Sequence, residues 1–368
     1  MPVAATWKAW TTRRATSGSG SQRMRVRGEL FTRWCGMIFA MLPLAELHIH
    51  VEGTLEPELL VRLAARNDIA LPTTDVAELR ARYKFADLQS FLDIHYSNLR
   101  VLRAEPDFYD LASAYLARAA AAGVRRAELF FDPQTHVAHG VPLADVFRGL
   151  SAALADGERD HGVSSALILC FQRDRGAEAA EESLRAALPF RDQFIGVGLD
   201  STEIGYPPAL FGRVYDMAAA EGLHRVAHAG EEGGPDYVRE ALDLLHVERV
   251  DHGVRSMEDA GVVAELRDRQ VALTVCPLSN VALRVVDTLG DHVLPAMLDA
   301  GLLATVNSDD PAYFGGYVDD NLAAVRAAFG WGDEQLARLA KNSFAATFAS
   351  QADQDRWQGE VDAWLAGR

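Results

Sequence analysis

Residues 45–50 read Ala45-Glu46-Leu47-His48-Ile49-His50, with apolar and polar side chains in strict alternation. In an extended strand, residues two apart share a face, so His48 and His50 point the same way. Seven further short runs follow: Arg126–Phe131, Ser165–Phe171, Phe194–Asp200, Arg225–Ala229, Arg249–His252, Val271–Val275 and Leu303–Asn307. Val, Leu, Ile and Phe dominate many of them, as expected of buried parallel strands. Helical patterns lie between. In Pro106–Ala122, residues Phe108, Leu111, Ala112, Tyr115, Leu116 and Ala119 share one face, and Gly123 follows as a stop. Pro142–His161, Ala177–Leu188, Pro208–Glu221 and Met257–Arg269 are others. Eight strands alternating with helices predict a (β/α)8 barrel of the TIM type. A doubly wound open sheet is the competing arrangement, and the lack of a GxGxxG after the first strand counts against it.

About 75 residues separate the first two strands, where a βα loop ordinarily takes ~2–6. Pro57–Asn67, Val76–Tyr83 and Asp87–Leu102 predict a helical insertion there, beside the barrel mouth. Within it Phe85, Leu88 and Phe91 have two readings, as an apolar lid over a flat substrate or as ordinary core at helical spacing.

The 368 residues are 49% hydrophobic, enough for a large core. A net charge of −16 argues against nucleic acid or an anionic membrane as partner and leaves a small neutral molecule as the better fit. Cys35, Cys170 and Cys276 are widely spaced and form no CxxC, so neither a disulfide framework nor a thiolate zinc site is expected. A reducing, cytoplasmic setting follows. No apolar run approaches the ~18 residues of a membrane helix. Residues 1–40 hold seven basic residues and one acidic one, leaving 29 basic and 51 acidic residues for the rest. They are expected to form a disordered or mis-assigned extension, with Met37 or Met41 as the working start, ahead of a barrel over 41–368. The oligomeric state has no signature.

Polar clusters end four of the strands. Besides His48-x-His50 there are His228-Ala229-Gly230-Glu231, Asp251-His252-Gly253 and Asn307-Ser308-Asp309-Asp310-Pro311. A His with a Glu three residues on offers a ligand and an acid/base. Adjacent carboxylates repel and call for a partner such as a metal, although a helix N-cap would also use Ser and Asp. Barrel enzymes keep their sites at these strand ends. Three His and one carboxylate make a reasonable zinc set, with water completing the shell.

Together these motifs resemble the adenosine/adenine deaminase family, over about Leu42 to Phe348. The resemblance implies a barrel holding one catalytic Zn2+ per subunit, with His48, His50, His228 and Asp309 as ligands. It implies that Glu231 protonates a purine at N1, that His252 orients the attacking water and helps take its proton, and that Asp310 hydrogen-bonds N7. Zinc lowers the pKa of its water towards ~7, while Glu231 needs a raised pKa to hold its proton. The loop after strand four, Gly198-Leu199-Asp200-Ser201-Thr202-Glu203-Ile204-Gly205, is similar to the adenine deaminase branch. So are Phe131-Asp132-Pro133-Gln134-Thr135-His136, Cys276-Pro277-Leu278-Ser279-Asn280 and Asp310-Pro311-Ala312-Tyr313-Phe314. The expectation is hydrolysis of adenine to hypoxanthine and ammonia, with Ser201 or Glu203 accepting the free N9–H. Alternatives are adenosine, an N6-substituted adenine or aminofutalosine as substrate, a different amidohydrolase reaction, or a non-catalytic relative. His136 and His139 are expected to be loop residues, and Cys276 packing.

Overall fold

The computed structural model describes residues 41–368; the expected extension, residues 1–40, lies outside the described residues. Eight strands occur among the described residues: β1 (Leu44–His50), β2 (Val124–Phe131), β3 (Ser164–Gln172), β4 (Gly196–Asp200), β5 (His224–Ala229), β6 (Arg249–His252), β7 (Ala272–Val275) and β8 (Ala304–Val306). Each pairs in parallel with the next, in sequential order. The barrel is therefore the predicted one. β4 begins two residues later than expected, and Phe194 packs against Phe147 in the core instead.

The seam between β8 and β1 closes by a parallel bridge, Ile49 with Asp309. His50 N–H donates to the Asp309 carbonyl (3.1 Å), and Asp309 N–H to the His48 carbonyl (3.0 Å). Side chains reinforce it. Leu47 N–H donates to Asn307 Oδ1 (3.0 Å), and Ser308 donates from its N–H (3.0 Å) and hydroxyl (2.7 Å) to the buried Glu46 carboxyl. Closure thus carries Asp309 up against the two β1 histidines.

The insertion is helical, as expected. It contains α1 (Pro57–Arg66), α2 (Val76–Ala81) and α3 (Leu88–Asn98), after which α4 (Glu105–Ala121) packs on the barrel. Buried Asp107 ties the parts together. It accepts from Arg66 (2.9 Å) and Asn67 (2.8 Å) and from the N–H groups of Arg103 and Ala104. A reciprocal Asp87–Ser90 cap fixes the start of α3. From there Leu88, Phe91, Leu92, His95 and Tyr96 reach the barrel mouth. Phe85, Leu88, Phe91 and Leu92 form a separate apolar cluster with Leu283, Ala312, Tyr313 and Phe314. The aromatic run divides between the cavity wall and the packing behind it. Leu88 and Phe91 line the cavity, whereas Phe85 does not and packs behind Phe91 (ring centroids 5.4 Å).

Candidate active site

His48 and His50 leave β1 on the same face, as the alternation requires. His228 follows from β5 and Asp309 from the turn after β8. His50 Nε2 lies 3.2 Å from His228 Nε2 and 3.6 Å from Asp309 Oδ1, and His48 Nε2 lies 3.4 Å from the same oxygen. Four ligand atoms thus converge. His50 and His228 share a hydrogen bond at that distance unless a cation takes both lone pairs, and buried His48 Nε2 has no hydrogen-bond partner. A divalent cation satisfies all four atoms.

The far side of each ring is also arranged. The Thr274 hydroxyl donates to Asp251 Oδ1 (2.7 Å), so its oxygen must receive the Nδ1–H of His48 at 2.9 Å. That tautomer turns a lone pair on Nε2 towards the centre. Asp251 Oδ2 stands 3.8 Å from His228 Nδ1, and Asp200 Oδ2 stands 3.7 Å from His50 Nδ1. Carboxylates behind ligating histidines orient the rings and raise their basicity. Burial drives the imidazoles to the neutral, ligating state. It lowers His50 to about 4 and His228 well below its ordinary value. Burial works against charge on Asp309, but His48, His252 and His50 around it outweigh that and hold its carboxyl well below the usual range.

His252 also lies close, and His48, His228, His252 and Asp309 can present one ligand atom each within 4.8 Å of one another. The Asp309 carboxylate distinguishes the two arrangements. Its Oδ1 faces His48 and His50, while Oδ2 faces His252 Nε2 at 3.7 Å. A hydrogen-bond chain sets the His252 tautomer. Leu294 N–H donates to His292 Nδ1, His292 Nε2–H to Asn280 Oδ1 (3.1 Å), and the Asn280 amide to His252 Nδ1 (3.5 Å). His252 therefore turns Nε2–H, a donor, towards Asp309 and towards Glu231 Oε2 at 3.6 Å. In this tautomer His252 donates at Nε2, which suits it to orienting a water.

Glu231 is buried, its Oε1 is unpartnered, and it lines the cavity. Burial, then the charges of Asp309, Glu203 and Glu232, push its carboxyl well above the usual range. Asp310 is raised the same way by burial and Asp309. Gly53 backs Asp310 so closely that a Cβ would stand 2.0 Å from its Oδ1, so no larger residue fits there. Three non-glycine residues of the site hold left-handed backbone: Ser201 (φ 68°), His252 (φ 63°) and Asp309 (φ 67°). Such strain concentrates at functional sites.

A cavity opens over these groups at the barrel mouth, walled by apolar side chains and a few convergent polar ones. Ser201 lines it and receives the Tyr96 hydroxyl proton (3.0 Å). Glu203 does not line it. Its two oxygens accept the backbone N–H groups of Gly230 (2.8 Å), Glu231 (3.1 Å), Glu232 (2.7 Å) and Gly233 (2.8 Å). With its acceptors so occupied, Glu203 anchors the loop that carries Glu231 and does not contact a ligand. The expectation that it accepts N9–H is corrected accordingly. His136 is also not in a loop. It sits in the helix Pro133–Ala138, fully buried, with Nε2 2.8 Å from Glu52 Oε1. Cys276 is buried and does not line the cavity.

Sequence reasoning gave no individual role to Asp132, Asp200, His95 and Tyr96, which all line the cavity, or to Asp251, which stands behind His48 and His228. Asp132 and Asp200 both stand at strand ends, and that position was the available signal. His95 and Tyr96 lie on α3, where only packing against the barrel reveals which face looks inward.

Residues 43–364 match the family model described as adenosine deaminase. A Streptomyces coelicolor protein named adenine deaminase is 60% identical over 325 residues, covering 88% of this chain and 96% of that protein. The crystal structure of adenine deaminase from Arthrobacter aurescens is similar at a TM-score of 0.87 and 54% identity, covering 88% of this chain and 99% of that one. An amidohydrolase from Burkhoderia ambifaria, solved with bound Zn, is similar at a TM-score of 0.83 and 28% identity, covering 89% and 93%.

Proposed function

This chain belongs to the adenosine deaminase family, and we propose that it hydrolyses adenine to hypoxanthine and ammonia with one zinc ion per chain. The observation that carries the chemistry is a buried, unpartnered Glu231 carboxyl beside convergent His and Asp ligand atoms. The names of relatives at 52–60% identity support adenine as substrate.

His48, His50, His228 and Asp309 would hold the ion, which when bound would supply Lewis-acid activation of a water near neutral pH. His252 donates its Nε2–H to orient the nucleophile, and Asp309 Oδ2, on the same side, accepts the proton given up during attack on C6. Glu231, kept neutral by burial, donates its proton to N1 and so makes C6 electrophilic. Asp310, also neutral, donates to N7. Leu88, Phe91 and Phe314 give the purine an apolar wall that excludes bulk water. Asp309 passes its proton to the departing amino group, which leaves as ammonia, and the proton of the new C6 hydroxyl returns to Glu231 to give the 6-oxopurine. No helix among the described residues is long and apolar enough to cross a membrane, and a cytoplasmic setting is part of the proposal.

Ammonia release from adenine and adenosine side by side, with metal content measured on the same sample, tests this. Turnover of adenine with little of adenosine, lost on chelation and restored by zinc, is the expected result. Preference for adenosine would keep the reaction and overturn the substrate. Bound zinc with silence on both would shift the reading to a larger adenine derivative.

A further inference from the structure

Asp132 is unused by the reaction as described. It follows β2, is 4% exposed, and lines the cavity together with Asp200 and Ser201. One of its oxygens, Oδ2, accepts from Gln172 Nε2 at 3.1 Å, and Thr135 holds Gln172 in turn at 2.7 Å. The other, Oδ1, is buried and meets no N–H or O–H donor; the same is true of both oxygens of Asp200. A buried carboxyl oxygen without a donor is costly to keep. Asp200 is accounted for by His50 Nδ1, which it faces at 3.7 Å. Asp132 and Asp200 face one another across a shared proton, but Asp132 backs no imidazole and its Oδ1 is left for the cavity.

The barrel order says which part of a ligand this oxygen meets. Strands neighbour one another in sequence. If Glu231 after β5 reaches N1 and Asp310 after β8 reaches N7, C6 faces the histidines and Asp309. The remaining edge, N3–C4–N9, then faces the arc of β2, β3 and β4. That arc presents Asp132 and Ser201. A free adenine base has a donor at N9 and an acceptor at N3; a purine substituted at N9 has lost the donor and brings bulk.

We propose that Asp132 selects the free base, its Oδ1 accepting the N9–H of the purine, with the Ser201 hydroxyl donating to N3. Ser201 Oγ already receives the Tyr96 proton, which leaves its own proton for the ligand. Asp132 thereby takes the place expected of Glu203. The assignment rests on the adenine reading above.

The test compares kcat/KM for adenine and for 9-methyladenine in the full chain, its Asp132→Ala and Asp132→Asn variants, and Glu203→Gln, with metal content and circular dichroism on each. The unaltered protein should prefer adenine by at least about a hundredfold, since a site built to bond an N–H rejects the analogue lacking it. In Asp132→Ala that preference should collapse by roughly 10- to 150-fold, the scale of one hydrogen bond to a charged group. Asp132→Asn keeps the shape and one carbonyl oxygen and should fall between; it carries the test if the Ala variant does not fold. An unmoved preference in a folded, metal-loaded Asp132 variant overturns the assignment while leaving the adenine reading intact. So does a second metal ion that Asp132→Ala loses, because the pair would then be a cation site. No adenine turnover in the metal-loaded, unaltered protein overturns both.

Discussion

The barrel mouth has two arcs, and they treat their polar atoms differently. On the arc of β1, β5 and β8, histidine and carboxylate atoms converge at 3.2–3.6 Å, and each of the three rings has a polar group behind it: Thr274 and Asp251, Asp251, or Asp200. On the arc of β2 to β4, Asp132 Oδ1 stays without a donor and Ser201 keeps a free proton. One arc is organised around a point, as an ion requires. The other offers separate groups along an edge, as a flat heterocycle requires. The loop after β5 joins the two, and its Glu231 works only if the loop stays in place.

The largest expected effect is at that junction. Glu231→Gln removes the proton donor and should lower kcat by about 10²–10⁴-fold, with metal content unchanged. The sign of the pH dependence follows from the raised carboxyl. The acid form is the working one, so kcat/KM is full below the raised pKa and falls as pH climbs through it. A rate profile of the Gln variant should lack that descending limb. A variant that kept both the rate and the limb would mean the acid is another group. Next in size is Asp251→Asn, which disturbs the backing of His48 and His228 on the ion-binding arc. Metal affinity should weaken about 10- to 100-fold, measured by competition with a chelator, while the preference for adenine over 9-methyladenine holds. A changed preference with affinity intact would erase the division between the arcs. The smallest effect is expected at Glu203→Gln. One of four backbone bonds is lost, costing roughly 1.5–3 kcal/mol of stability in denaturant unfolding, with the base preference again unmoved.

Much of this was legible in the sequence, for physical reasons. The alternation at Ala45–His50 and the apolar runs before His228, His252 and Asp309 are local signals, and each of those residues sits where its strand ends. Glu203 shows the limit. Its position after β4 suggested a ligand contact, but nothing local says that four N–H groups nearly thirty residues away converge on its carboxylate. The same holds for His252. Its type and place were readable, whereas its tautomer depends on Asn280 and His292, brought near only by folding. His136 reads as a loop residue because it follows the second strand and the resemblance gives it no ligand role, but Pro133 stands three residues before it. Pro in fact opens a helix at its first position, and that helix buries the imidazole against Glu52.

The seam between β8 and β1 has a consequence for how the protein comes into being. Leu47 finds its partner Asn307 260 residues further along the chain. During synthesis the first strand therefore emerges early and waits, while seven more strands are made before the ring can shut. Bringing such distant ends together is a late and entropically expensive event. Until the last strand is in place, His48 and His50 lack the Asp309 carboxylate that completes the proposed ligand set. A chain truncated before β8 should therefore stay open and retain no zinc when its metal content is measured.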